Sequence, residues 1–355
     1  MTRRRWAAGV GVAAVAVLAA SGCSSLGYYT QAVGGHLEMV HRARTVTDWL
    51  ADPATPPALR ERLQLTQRLR DFAIAELKLP DNRSYRGYAD LERDAAVWNV
   101  VAAPELSLQL KTWCFPLMGC VGYRGYFKRE PADTLAAELR SEGWETSVYG
   151  VPAYSTLGWT NWLGGDPLLN TFVNWPEGEL ARLIFHELAH QVAYAADDTT
   201  FNESFAGAVE RIGGRRWLQR HASQAVRAEY AALDGRRQDF RELTTRYREQ
   251  LKALYDSGAS DADKRRGKDT LLAAMRAEYA TLKATRWNGF AGYDAWFARA
   301  NNAALGVQAA YNELVPQFER LFERSGGDFE RFYTEVKALA ALPKEQRRAR
   351  LAGTT

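Results

Sequence analysis

Long hydrophobic runs are missing from this chain of 355 residues. The apolar stretch from Trp6 to Ala20 covers about 15 residues, and a membrane-spanning helix needs about 20. A net charge is missing too. The formal value of +4 includes Arg3, Arg4 and Arg5, which lie in a segment expected to be removed. Without residues 1–22 the chain carries 43 basic against 42 acidic residues, so no electrostatic footprint for a nucleic acid remains. There are no internal repeats and no low-complexity tracts. Histidine is scarce, with five in the whole chain, and cysteine scarcer, with three. What is present is ordinary for a globular protein: 46% apolar and 25% charged residues. With 11 Trp and 16 Tyr, the composition suits a sizeable core and a peptide-binding cleft.

The N-terminus reads as a targeting segment, with a basic start followed by the short apolar run. It ends in Leu18-Ala19-Ala20-Ser21-Gly22-Cys23. This resembles the lipobox of bacterial lipoproteins, although Ala20 stands where those carry Leu. The resemblance implies cleavage after residue 22 and lipid modification of Cys23. An acylated end holds a protein firmly on a bilayer, and Ser24 after the cysteine implies the outer membrane, with the protein facing the periplasm. Export also bears on Cys114 and Cys120. In an oxidising compartment they are expected to form a disulfide closing a short loop. Two thiols can also bind a metal, but no further Cys or His stands near them in sequence.

Hydrophobic periodicity predicts helices over 29–50 and 57–78. Residues 97–102, 122–127, 144–149 and 154–159 read as strands, with a helix over 131–142 between them. From residue 177 onward the chain reads as almost wholly helical. Expected there are a helix from Glu177 to Tyr194, and another from Thr200 or Asn202 that can run to about residue 256. After the break Ser257-Gly258-Ala259-Ser260 comes a return arm over 261–286, then helices over 299–324 and 327–341, and a loose basic tail from Lys344 to Arg350. The expected class is α+β: mostly helical, with a small mixed β region and a long helical hairpin in the C-terminal half. We expect one domain over 23–355, with an α+β part (23–176) and a helical part (177–355).

The chemistry rests on His186-Glu187-Leu188-Ala189-His190. Residues four apart on a helix share a face, so two imidazoles can bind one Zn²⁺ from the same side. Glu187 then stands near the open coordination position and can act as general base. Zinc brings the pKa of a bound water to about 7, so a carboxylate suffices at neutral pH. Two of only five histidines fall in this pattern.

A catalytic site needs a third protein ligand. His36, His41 and His221 have no supporting context. Thirteen residues after His190 stands Asn202-Glu203-Ser204-Phe205-Ala206. This segment resembles that of the glutamate-ligand zinc peptidases, the gluzincins, especially aminopeptidase N and its relatives. The resemblance implies that Glu203 is the third ligand and that the Glu210 carboxylate, seven residues on, and the Asn202 amide, beside Glu203, stand behind the ligands. The chain as a whole resembles a family of bacterial lipoproteins described as zinc aminopeptidases. Besides the metal helix, that likeness is carried by Tyr123-Arg124-Gly125-Tyr126-Phe127, Tyr154-Ser155-Thr156-Leu157-Gly158-Trp159, Asp166-Pro167-Leu168-Leu169-Asn170-Thr171 and Asn301-Asn302-Ala303 with Tyr311.

The chain also departs from aminopeptidase N. The spacing from the histidine pair to Glu203 is shorter, and the Gly-x-Met-Glu-Asn segment that binds a free amine there is absent. Asp166 stands roughly where that segment would, either as an ammonium-binding carboxylate or within a plain Gly-Asp-Pro turn. For the oxyanion of a tetrahedral intermediate, the candidate donors are Tyr154, Tyr311 and Arg124. The reading that follows is a zinc peptidase acting on peptides in the cell envelope, as an aminopeptidase. The alternatives are an endopeptidase with the same residues, or a lipid-anchored assembly factor retaining a metal site without turnover.

Overall fold

The computed structural model describes residues 28, 31, 33–115, 119–153, 165–196, 198–310 and 313–353. Cys23, Tyr154, Tyr311 and the expected strand over 154–159 lie outside the described residues.

The fold is α+β and mostly helical. The expected helix over 29–50 is interrupted. Helix α1 is described over 33–42 and α2 covers Val46–Ala51, with the short strand β1 (Arg44–Thr45) between them. Thr45 caps α2 by accepting from the Asp48 N–H. Helix α3 (Pro57–Ala75) follows, with Pro57 opening it. Strand β1 pairs antiparallel with β2 (Gly87–Ala89), which pairs in parallel with β8 (Leu168–Leu169). These strands of two or three residues are too short to leave a periodic signal. The segment after β8 ties this sheet together: Asn170 accepts from the Leu91 N–H at 2.9 Å and donates to the Arg93 carbonyl at 3.1 Å.

A second sheet runs β6–β3–β7, antiparallel throughout, with β3 (Val97–Pro104) between β6 (Arg124–Tyr126) and β7 (Trp144–Val151). Its alternation sorts residues to two faces. Val100, Ala102 and Val148 pack under α4 (Arg129–Ser141), while Val101, Ala103, Tyr149 and Tyr123 face Ala303 and Val307 of α10 (Asn302–Ala310). Buried Asn302 fastens α10 to this sheet, donating to the Pro104 and Glu105 carbonyls. A small hairpin of β4 (Trp113–Phe115) and β5 (Gly119–Val121) places Cys114 opposite Cys120, and the two are disulfide-bonded.

Helix α5 (Glu177–Ala189) buries Leu180, Ala181, Ile184, Phe185 and Leu188 in the main core, and Glu177 and Glu179 in its first turn complement the helix dipole. It stops short of the expected Tyr194, with His190 as its last, C-capping residue. Helix α6 (Thr199–His221) lies against it. The close approach depends on glycine: a Cβ at Gly213 would stand 2.6 Å from Leu77, and one at Gly214 2.9 Å from Arg182. The expected continuous helix to residue 256 is broken at Ala222–Ser223. The Ser223 hydroxyl accepts from the Val226 N–H and starts α7 (Gln224–Asp256) afresh. Helix α7 and α8 (Asp261–Thr285) form the long hairpin. Its own core contains Phe240, Leu243, Leu251, Met275 and Tyr279, closed by Trp287 and by Phe297 of α9 (Asp294–Arg299).

The expected helix over 299–324 is three pieces: the end of α9, then α10, then α11 (Val315–Arg324). Helix α12 (Phe329–Ala340) follows. The tail from Lys344 is not loose. It forms α13 (Lys344–Ala352), in which Arg347 is buried and pairs with Asp198 at 2.7 Å. Two neighbouring arginines, Arg347 and Arg348, both bind this carboxylate, a long-range contact that local composition does not reveal.

Candidate metal and catalytic centre

Arg182, His186 and His190 form a stripe at four-residue spacing along α5. Glu203, Gly207 and Glu210 form the facing stripe on α6. Helix α6 starts at Asp198, whose side chain accepts from the Phe201 N–H at 3.2 Å. Asn202 serves the connecting loop instead of the ligands: its amide accepts from the Ala195 N–H and donates to the Ala195 carbonyl, at 2.8 and 2.9 Å. This fork fixes the turn that brings Glu203 back over the histidines.

The result is a compact donor set. His186 Nε2 lies 3.1 Å from His190 Nε2 and 3.3 Å from Glu203 Oε2, and the latter lies 3.7 Å from His190 Nε2. Ligands about 2.0–2.1 Å from a tetrahedral zinc stand roughly 3.3 Å apart. Two imidazole nitrogens and one carboxylate oxygen at these separations can hold a metal ion. The rest of the arrangement agrees with that chemistry. His186 Nδ1 donates to Glu210 Oε2 at 3.0 Å, which directs the Nε2 lone pair toward His190 and Glu203. Glu210 is in turn ion-paired with buried Arg182. Glu210→Gln is therefore expected to weaken metal binding about 10–100-fold, as read by competition with a chromogenic chelator; unchanged affinity would refute a supporting role.

Electrostatics follow from burial and this pairing. Burial pulls the His186 pKa down, but Glu203 and Glu210 hold it well above its ordinary value. Burial pushes Glu203 up, but His190 and His186 bring it well below the carboxylate range. Burial also works against ionised Glu210, which Arg182 and His186 lower to about 2. Glu187 alone of the three carboxylates moves up: burial raises it, against the opposing pull of His186 and His190. A carboxylate so shifted suits a general base.

The other expected residues are placed differently. The Arg124 guanidinium lies over the rings of Tyr28 and Tyr126, at 4.3 and 5.8 Å, and enters none of the hydrogen bonds or ion pairs described at the His–Glu cluster. His221 stacks on Trp217. Asp166 is buried, where its backbone accepts from the Tyr85 N–H at 2.7 Å and donates to Ser84 Oγ at 3.2 Å. The Gly-Asp-Pro stretch is thus a backbone support: Gly165, at φ +74°, passes so close to Ser84 that a Cβ would stand 2.5 Å from its nitrogen.

Three further tyrosines lie near the centre, of which only Tyr123 belongs to a segment that carries the family likeness. Tyr123 and Tyr149 face the α10 side of the second sheet, within electrostatic range of Glu203. Burial first, then that carboxylate, raises both, Tyr149 to about 12. Strand alternation carries this signal, since Tyr149 is opposite in face to Val148. Tyr85 is buried, with φ +62° and a hydroxyl that has no hydrogen-bond partner among the described residues. Burial, then Glu187 and Asp166, push its pKa far up. A bulky residue in the left-handed region is strained. Its loop is held by Arg70, which donates to the Pro80, Asn82 and Ser84 carbonyls, and by Gln191, which donates to Ser84 Oγ and accepts from Asn82. Gln191 directly follows His190, so the strained loop is latched to the end of the metal helix.

A helical stripe of two imidazoles faced by a carboxylate, with a raised glutamate beside them, could hold a metal ion next to a base. The chain belongs to the family described as "Putative aminopeptidase", which it matches over residues 27–351. That membership supports a peptidase function, with peptides as substrates. No curated protein and no solved structure matches the chain. Among the described residues, no helix is long and apolar enough to cross a membrane.

Proposed function

We propose that this protein is a zinc-dependent aminopeptidase of the bacterial cell envelope. The single observation that carries the metal-dependent part is the juxtaposition of His186 Nε2, His190 Nε2 and Glu203 Oε2 within 4.8 Å of one another, with Glu187 beside them. A zinc ion there would supply Lewis acidity, bringing a water's pKa to about 7 and polarising the scissile carbonyl. Glu187 takes the proton from the attacking water and delivers it to the leaving amine nitrogen. Tyr123 and Tyr149 remain protonated at neutral pH and can donate to the developing oxyanion. Glu210 fixes the His186 tautomer, and Asn202 fixes the loop from which Glu203 projects.

The location belongs to the same proposal. Cys23 is read as the lipidated first residue of a mature chain over 23–355, folding as one domain on the periplasmic face of the outer membrane. The Cys114–Cys120 disulfide fits an oxidising compartment.

The test is a panel of matched peptides with free or acetylated N-termini, assayed before and after chelation. An aminopeptidase cleaves only the free-amine set, and its activity disappears with chelator and returns with zinc. Equal cleavage of both sets would make it an endopeptidase; chelator-resistant cleavage would remove the metal from the mechanism.

A further inference from the structure

Behind the candidate metal ligands lies a half-open pocket of roughly 270 Å³, lined by α5, α6, α7, α10 and the segment around Tyr293. Four arginines line it: Arg182, Arg211, Arg237 and Arg241. His186 and Glu210 form part of its wall, whereas Glu187, His190 and Glu203 do not line it. Because Glu210 meets His186 through Nδ1, the cavity lies on the side of the imidazole away from the ligand atoms. Arg182 stands four residues, about 6 Å along the helix axis, from His186.

The four arginines are not equally paired. Arg237 is paired with Glu179 and Asp234, at 2.5 and 2.9 Å. Arg182 is paired with Glu210 and reaches Asp234 at 3.6 Å. Arg241 has no ion pair and no side-chain hydrogen bond among the described residues. Burial, then repulsion from Arg211, lowers its pKa. Arg182 is only 7% exposed, and its Nε has no hydrogen-bond partner among the described residues, while its Nη1 has only the Asp234 carboxylate at 3.6 Å. Buried guanidinium donors without acceptors are costly. Their planar forks match oxyanions of carboxylate or phosphate geometry.

We propose that this cavity is an anion-binding site, in which Arg241 and Arg182 hold a carboxylate or phosphate group on the Glu210 side of His186. The inference stands on the cavity, on Arg241 without an ion pair and on the unmatched Arg182 Nε, independently of the peptidase reading. The anion has two possible sources, a carboxylate of the substrate or a free oxyanion from solution.

The test is calorimetric titration of the metal-loaded mature protein with inorganic phosphate and, separately, with acetate. Saturable binding is expected for at least one probe. It should weaken about tenfold or more in Arg241→Gln and stay unchanged in Arg246→Gln, an exposed position on the same helix. Because Arg241 has no ion pair to lose, its variant should melt with the wild type when no anion is present. Phosphate held by the metal would be indifferent to Arg241, and such indifference overturns the proposal, as does the absence of saturable binding. Peptide assays then separate the sources. Inhibition competitive with peptides, together with a KM that rises on amidating their carboxylates, assigns the site to the substrate. Binding that leaves KM unchanged assigns it to a free anion.

Discussion

Glu187→Gln is expected to lower kcat by roughly 10²–10⁴-fold while leaving one metal ion per chain. Glutamine preserves the volume and the helix but cannot accept a proton. Glu187 is not among the donor atoms that meet between His186, His190 and Glu203, so its amide should cost activity without costing metal. The raised pKa of Glu187 adds a second observable. The acid limb of the kcat/KM profile, which reports a base in the free enzyme, should lie above the ordinary carboxylate range of about 4.3. Residual activity should lose that limb in the variant. A variant with wild-type kcat would mean that another group moves the proton.

Asp198→Asn should cost about 3–5 kcal/mol of folding stability, the usual penalty for breaking one side of a buried ion pair. Asparagine caps a helix about as well as aspartate, so the hydrogen bond to the Phe201 N–H is retained and the loss isolates the charge. What is lost is the acceptor for Arg347, itself buried, and for Arg348. Burial works to raise the Asp198 pKa, but these two arginines and the Phe201 N–H lower it overall. A carboxylate whose folded pKa is depressed contributes fully above its unfolded value, about 3.9, and loses that contribution as pH falls through the folded value. The gap between wild type and variant in denaturant titrations should thus be widest near neutral pH and close in acid. Pairing the change with Arg347→Met should recover part of the loss, because the two residues share one interaction. A gap independent of pH would show that packing, and not charge, makes the contact.

The metal helix was legible because its chemistry is local: residues four apart on one helix meet whatever the rest of the chain does. Glu203 and Glu210 needed the likeness to gluzincins, since nothing local says that α6 folds back over α5. The long hairpin was readable from its two charged, amphipathic arms and the Ser-Gly-Ala-Ser break. Other features depend on partners far away in sequence. The tail from Lys344 looked loose because it is rich in basic residues, yet Arg347 and Arg348 find their partner in Asp198 at the start of α6. The Asp166-Pro167-Leu168-Leu169-Asn170 segment and Asn302 carried the family likeness, and in the structure the Asp166 backbone and the Asn170 and Asn302 amides tie neighbouring segments together. Tyr85 carried no motif at all; its strained φ and unpaired hydroxyl emerge only once the loop is pinned by Arg70 and Gln191. Buried polar groups of either kind look alike in a sequence, because pairing is a tertiary property.

The central claim, that His186, His190 and Glu203 together hold a catalytic metal ion, is tested most directly by metal content. Elemental analysis of the mature protein, purified without added metal and after reloading with zinc, should find one ion per chain. In His190→Ala and in Glu203→Ala, folded by circular dichroism, it should find less than about a tenth of that. Stoichiometric zinc retained in both variants, or none in the wild type after reloading, would contradict the account.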